Sequence, residues 1–285
     1  MTDNPPTAEP LVFALPDHRI ASLTGRDALA FAQAQFMNDV AALPIGHWQW
    51  NGWLTPKGRV IAFFTLLKLD EERLLLIVAD VDPAKLIAKL ERYVFRSKIR
   101  IEVVEDRFVI GSFAAPPTAK AARFGGDPEH GIELDLGGDG GSRTLRIAVE
   151  PVTPDADAAA RWTAFDLAHG LPRLDASQTE AWTPQQLSLD RLKAYSVKKG
   201  CYPGQEIVAR THFLGRAKRG LVLFESNQPL RPGSEVHEDS TTHGTIVSAA
   251  ADLALAVMLP VQPKQTLHVD GVPVRERPLV NGLAR

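Results

Sequence analysis

The chain has 285 residues, 45% of them hydrophobic, with 32 basic and 34 acidic side chains and a formal net charge of −2. That length suits two or three domains, and the near-neutral charge implies no general attraction to nucleic acid or to an anionic membrane. No apolar run approaches the ~20 residues needed to span a bilayer. A single cysteine excludes an intramolecular disulfide, a CxxC pair and a four-cysteine cluster site, and it suits the reducing cytoplasm.

In chain order, residues 1–10 are acidic and proline-rich, lack the pattern of a signal peptide, and are expected to form a mobile tail. An apolar piece from Ile20 runs into Thr24-Gly25-Arg26-Asp27, where Thr24 is expected to cap a helix and Asp27 to return the bond. Leu29, Ala32 and Phe36 recur at i, i+3 and i+7 and predict the buried face of that helix. Residues 50–69 read as two strands joined by a turn at Thr55-Pro56-Lys57-Gly58. Residues 73–79 form a further strand, and Asp82 then caps a helix that opens on Pro83. Its expected apolar stripe is Leu86, Ile87, Leu90, Tyr93 and Val94. Strands follow at 99–104 and 108–113, then Gly-, Pro- and Ala-rich loops around one short strand at 132–136. A strand at 145–149 and a helix at 156–168 precede a polar, proline-punctuated stretch at 170–190. After Gly215 the pattern becomes short strands at 221–224, 244–248, 253–259 and 267–269 without a helical stripe, which predicts a small β-barrel. The division is a tail at 1–10, an α+β region at 11–217 that is expected to divide into two interleaved subdomains, and a barrel at 218–285.

The lone Cys201 sits in Lys198-Lys199-Gly200-Cys201-Tyr202-Pro203-Gly204-Gln205-Glu206. Neighbouring cations and a helix N-terminus both favour a thiolate, and Pro203 is of the type that opens a helix. Glu206 and Arg210 would then lie one turn apart and pair on its surface. A lone cysteine is otherwise a small buried hydrophobe, but the polar neighbours place this one at a surface or a cleft. With one thiol, a metal centre is handled only jointly with a partner that supplies the other ligands; no resident metal is expected.

Lys199 to Glu206, followed by Ile-Val-Ala-Arg-Thr at 207–211, resembles the hallmark of the YgfZ-type folate-binding proteins. Further pieces appear in matching order: Gly25-Arg26-Asp27-Ala28 with 31–35 and Asn38-Asp39-Val40, the run from Thr55 to Val60, residues 90–99, and 244–248 with 253–258. The resemblance covers about residues 18–260. It implies an α+β fold like that of the glycine-cleavage T-protein, with mixed folate-binding domains and a C-terminal β-barrel. It also implies a role in assembly, maintenance or repair of iron–sulfur enzymes. Its cofactor would be tetrahydrofolate or a derivative, and an iron–sulfur cluster would be held transiently with a partner. Implied partners are iron–sulfur assembly proteins and client enzymes, tRNA-modifying ones among them, with no direct nucleic-acid or membrane contact.

Within that resemblance Cys201 is the functional thiol, its loop near the mouth of the folate cleft. Trp162 falls where a tryptophan stacks on the pterin, and His18 at a second aromatic position. Lys199, with Lys198, is expected to bind the folate tail or activate the thiol, and Tyr202, Gln205, Glu206 and Arg210 complete the expected contacts. The alternative is an aminomethyl-type one-carbon transferase. It is weakened because a T-protein carries an aspartate shortly after its first hairpin turn, and the matching run 60–64 here has no carboxylate. His212 is weighed as a base or second ligand beside the thiol, and Arg216, Lys218 and Arg219 as a small basic cluster. Trp48, Trp50 and Trp53 are expected to build a core edge, and Asp175 and Asp190 have no assigned partner.

Overall fold

A computed structural model describes residues 11–174, 176–215, 218–259 and 266–285. The expected tail at 1–10, Asp175 and Arg216 lie outside the described residues. Strands β1 (Val12–Ala14) and β2 (His18–Thr24) precede helix α1 (Ala28–Gln35). Then come β3 (His47–Leu54), β4 (Val60–Lys68), β5 (Arg73–Ala79) and α2 (Pro83–Leu90), followed by a 3₁₀ turn at Glu91–Tyr93. Strands β6 (Arg100–Val104), β7 (Phe108–Ser112), β8 (Gly125–Asp127), β9 (Gly131–Asp135) and β10 (Thr144–Ala148) lead to α3 (Ala156–Ala168). Helix α4 (Gln205–Leu214) precedes β11 (Gly220–Ser226), β12 (Glu235–Glu238), β13 (Thr241–Ala250), β14 (Leu253–Met258), β15 (His268–Val269) and β16 (Val272–Arg277).

The strands build a first sheet ordered β3-β4-β5-β2-β6, a second ordered β1-β7-β10-β9-β8, and a closed barrel β11-β14-β13-β12-β15-β16. Because β1 joins the second sheet while β2 joins the first, the α+β region is interleaved from its first residues. The near-continuous apolar runs of β4 and β5 follow from burial on both faces. Ala62, Phe64, Leu66, Leu74, Leu76 and Val78 pack under α1 and α2. Phe63, Leu67 and Ile77 face the core shared with the second sheet, α3 and the barrel wall. The register shifts between Trp53 and Leu54 as an extra residue enters β4. Trp48 and Trp50, at even positions of β3, enter the shared core while Trp53, at an odd position, enters the layer under the helices, all three buried. They are a core edge, as expected.

Several local expectations are corrected. Thr24 ends β2 rather than capping α1, and the Asp27 carboxylate is drawn across to accept the Lys98 backbone N–H at 2.6 Å. The buried residues of α1 are Ala28, Phe31 and Ala32, with Leu29 only partly buried. Asp82 caps α2 as expected, accepting from the Ala84 N–H, but the 3₁₀ turn rotates Tyr93 outward to 47% exposure. Strands β8, β12 and β16 carry too many Gly or charged residues to show an apolar alternation. The barrel ends at Arg277. Residues 278–285 leave it and return to the α+β body, where Trp50 Nε1 donates to the Leu283 carbonyl at 2.7 Å and Val280 N–H to Ala168.

The barrel is held from outside as well. Buried Ser248, beside a register shift in β13, accepts from the Arg173 N–H and donates to the Arg173 carbonyl. Removing that hydroxyl leaves both backbone groups unpartnered. Ser248→Ala is expected to cost about 1–3 kcal/mol, read as a lower urea midpoint with an unchanged slope.

Candidate functional site

Between the two sheets, α3 and the barrel lies a narrow cavity of ≈ 40 Å³, lined by Trp50, Phe63, Thr65, Ile77, Trp162 and Pro172, among others. Its polar side is a chain of charges, Arg143 and Asp166 buried and Arg173 and Asp80 partly so. Arg173 grips both carboxylate oxygens of Asp80, Nη2 at 2.6 Å and Nε at 2.7 Å, and reaches Asp166 at 3.5 Å. Asp166 in turn accepts from Arg143 at 2.7 Å. Asp80 holds a left-handed backbone at φ 69°, a conformation that costs a non-glycine residue of order 1 kcal/mol and gathers at functional sites. None of these four residues was singled out from sequence. Arg143 and Asp166 are 23 positions apart and Arg173 and Asp80 are 93 apart, and no local motif joins the four.

His18 also lines this cavity. Its Nδ1 is shut off from water without a hydrogen-bond partner. Burial, then the positive charges of Arg173 and Arg143, push its pKa well below the usual histidine value. The imidazole is therefore neutral, with an unsatisfied ring nitrogen. His18 is thus a half-buried residue of the cavity wall. Trp162 is 1% exposed. The Arg143 guanidinium covers its ring at 4.0 Å, and Phe13 and Phe113 pack around it. The expected free stacking face is thus occupied, because a buried arginine with few acceptors uses the indole π-cloud.

The cysteine loop lies elsewhere, on the end of the β3–β4 hairpin. Gly204 precedes α4 at φ 79°, and a Cβ there would sit 2.6 Å from the Thr55 carbonyl and 2.7 Å from Gly58 Cα. Gly58, at φ 70°, in turn faces Ile207 of α4. The turn at 55–58 and the cysteine motif thus interlock through two glycines that need both the space and the backbone freedom. Helix α4 opens at Gln205, after Gly204, so Pro203 sits outside it rather than at its first position.

The polar side chains of Lys199, Tyr202 and Gln205 in this loop face inward. The Lys199 ammonium is buried and donates to the carbonyls of Gln33 (2.6 Å), Phe36 (2.5 Å) and Asn38 (3.1 Å), closing the C-terminal end of α1. Burial pulls its pKa down to about 8, against the attraction of Asp39. Tyr202 Oη donates to the Ser196 carbonyl and Gln205 Nε2 to the Lys199 carbonyl. Lys199, Tyr202 and Gln205 therefore hold the loop. The expectation that Lys199 binds a folate tail is corrected, since all three of its N–H donors are engaged. Cys201 itself is free and exposed. Lys198, Glu206 and Arg210 are exposed too, and no ion pair within 4 Å joins Glu206 to Arg210.

None of the residues 198–206 lines the central cavity, so the structure does not bring Cys201 together with Trp162 and His18. His212 lies in the last turn of α4, its ring against exposed Phe213. Seven residues of helix put it roughly 10 Å along the axis from Gln205, which removes it as a base for the thiol. Lys218 and Arg219 are exposed, and Asp190 and Arg219 line a separate open cleft beside the barrel. No helix among the described residues is long and apolar enough to cross a membrane.

No family model matches the chain. It is 30% identical over 244 residues to an uncharacterized protein of Haemophilus influenzae, covering 83% of each. It is 28% identical over 271 residues to the tRNA-modifying protein YgfZ of Serratia proteamaculans, covering 84% of this chain and 80% of that one. The chain belongs to the YgfZ family. The YgfZ of Aliivibrio fischeri is 27% identical over 273 residues, covering 87% and 84%. Among solved structures, the glycine cleavage system aminomethyltransferase T from Bartonella henselae superposes with a TM-score of 0.68 at 16% identity, covering 95% of this chain and 85% of that one. The fold is thus T-protein-like, as the sequence implied.

Lys199 offers a test of the loop. Lys199→Met is expected to lower stability by about 1–3 kcal/mol through the orphaned α1 carbonyls, read by urea unfolding at pH 7. The folded-state pKa of about 8 lies below the ordinary 10.5. The unfolded chain therefore binds more protons between these values, and this residue's contribution to stability rises with pH across that window. The gap between wild type and variant is expected to widen from pH 8 to pH 10.

Proposed function

We propose that this chain is a folate-binding accessory protein that supports iron–sulfur enzymes, with Cys201 as its working thiol. The observation that carries this reading is the construction of the cysteine loop. Lys199, Tyr202, Gln205, Gly204 and Gly58 all turn inward to hold it, while the sulfur is presented to solvent beside the exposed Lys198 and Glu206. A buried, inert thiol would need no such framework. The name tRNA-modifying protein carried by the relatives accords with clients that modify tRNA. A cluster is cargo here: one thiolate supplies one ligand, and the partner supplies the rest.

The central cavity suits a folate in the kind of groups it offers. Trp50 and Phe63 stack at 5.7 Å as a flat apolar wall, the orphaned Nδ1 of His18 awaits a polar edge, and Asp80 and Arg173 provide charged hydrogen-bonding groups. Bound there, a tetrahydrofolate would supply a one-carbon carrier nitrogen. The cavity of ≈ 40 Å³ is smaller than a pterin ring, so entry requires Arg173 or the 171–174 segment to move. The transferase alternative is favoured less, because the two carboxylates at the cavity, Asp80 and Asp166, are both committed to arginines and neither is free as a base.

Two measurements test this reading. Tetrahydrofolate is expected to quench the tryptophan fluorescence saturably, because Trp50 and Trp162 line the cavity; no change on titration removes the folate half. Cys201→Ala is expected to keep the fold and the folate response while losing support of iron–sulfur enzymes in cells. Full support by that variant would refute the thiol's role.

A further inference from the structure

The turn that follows α2 is unlike the rest of the surface. Between positions 85 and 100 the chain carries six Lys or Arg residues and one carboxylate, Glu91. All seven are exposed. Lys89 pairs with Glu180 and Arg100 with Glu102. Among the described residues the side-chain cations of Lys85, Arg92, Arg96 and Lys98 form no ion pair within 4.0 Å, the Asp27 carboxylate near Lys98 being taken by its backbone N–H. In their midst Phe95 is 76% exposed, the most exposed large apolar side chain among the described residues. Arg96 adopts a left-handed backbone at φ 60°, and its guanidinium lies over the Phe95 ring at 5.0 Å. A long side chain held at positive φ beside a solvent-facing phenyl ring costs stability twice, by backbone strain and by apolar exposure. Neither cost benefits the fold, which points to use outside it.

The turn shares its footing with the cysteine loop. Neighbouring Tyr93 packs edge-on against Trp53 at 5.7 Å. Trp53 is bridged to Phe36, whose carbonyl accepts the Lys199 ammonium. The same corner of the first sheet and α1 thus carries both the exposed sulfur and the exposed ring.

We propose that the turn from Arg92 to Lys98 docks a partner protein at an apolar pocket rimmed by carboxylates. Phe95 is the anchor, and Arg92, Arg96 and Lys98 face the acidic rim. One buried aromatic flanked by arginines is the usual make-up of a protein–protein hot spot, and the unpaired cations call for an acidic counterpart. A single-stranded nucleic acid instead needs a groove with successive stacking faces. Here only Phe95 is free, with one face already under Arg96, and Tyr93 is turned onto Trp53. The proposal rests on the reading that the protein serves iron–sulfur enzymes through partners.

The test uses cells lacking this protein, complemented with the full chain as wild type, Phe95→Asp, or the triple variant Arg92→Glu/Arg96→Glu/Lys98→Glu. Loss of the protein should lower iron–sulfur enzyme activity; if it does not, the functional reading fails and the proposal with it. If it does, both variants are expected to restore at least tenfold less activity than wild type. Purified, they should keep the wild-type melting temperature, tetrahydrofolate quench and rate of Cys201 labelling. Full restoration by either variant overturns the docking surface alone. So does binding of a 20-nucleotide single-stranded RNA that the triple variant abolishes, which would assign the turn to nucleic acid. A wild-type dimer in sedimentation that Phe95→Asp dissociates overturns it in favour of a second copy.

Discussion

Three parts of this molecule meet at Arg173. Its side chain binds Asp80 at the end of β5 and Asp166 on α3, and its backbone N–H and C=O both bond Ser248 of the barrel. A buried guanidinium tolerates burial only where carboxylates and carbonyls satisfy it. The first sheet, the long helix and the barrel are therefore fixed relative to one another at the wall of the central cavity. Any ligand that enters this cavity must contend with the same arginine. Occupancy and the seating of the barrel are thereby coupled through one residue.

The cysteine loop follows a different logic. Its stability comes from packing of backbone on backbone, Gly204 against Gly58, and from a lysine that closes a helix end from a distance of more than 160 residues. Lys199, Tyr202 and Gln205, which read as ligand contacts, are structural supports, and the sulfur is left outward among the exposed Lys198, Glu206 and Arg210. The T-protein-like body and the loop are separate devices on one scaffold: the cavity is closed and charged within, while the thiol is open to solvent. An accessory role accommodates that separation better than a single active centre in which folate and thiol touch.

Much of the architecture was legible in the sequence. The boundaries of β5 and α3, the hairpin at 55–58 and the capped start of α2 follow from local signals: β-branched runs, Asp-Pro at a helix start, and Gly at a tight turn. What escaped reading was non-local or amphiphilic in the wrong way. Strand β16 ends in the three exposed charges Arg275, Glu276 and Arg277, which hide its strand pattern. Thr24 looked like a cap because nothing local shows that Asp27 will be taken by the Lys98 backbone. The return of residues 278–285 to Trp50 has no periodicity to announce it.

By itself the sequence determined the family, the α+β body with a β-barrel, and the presence of one cysteine in a motif of small, bent and charged residues. These are properties of short segments, set by backbone preference and hydrophobic period. Only the tertiary structure decided that Lys199 is buried, that Arg143 covers the Trp162 ring, that His18 carries an unpaired nitrogen, and that Asp80, Asp166, Arg143 and Arg173 form one chain of charge. Each of these depends on which distant groups share a low-dielectric interior. Burial and pairing there outweigh every preference that a residue carries alone.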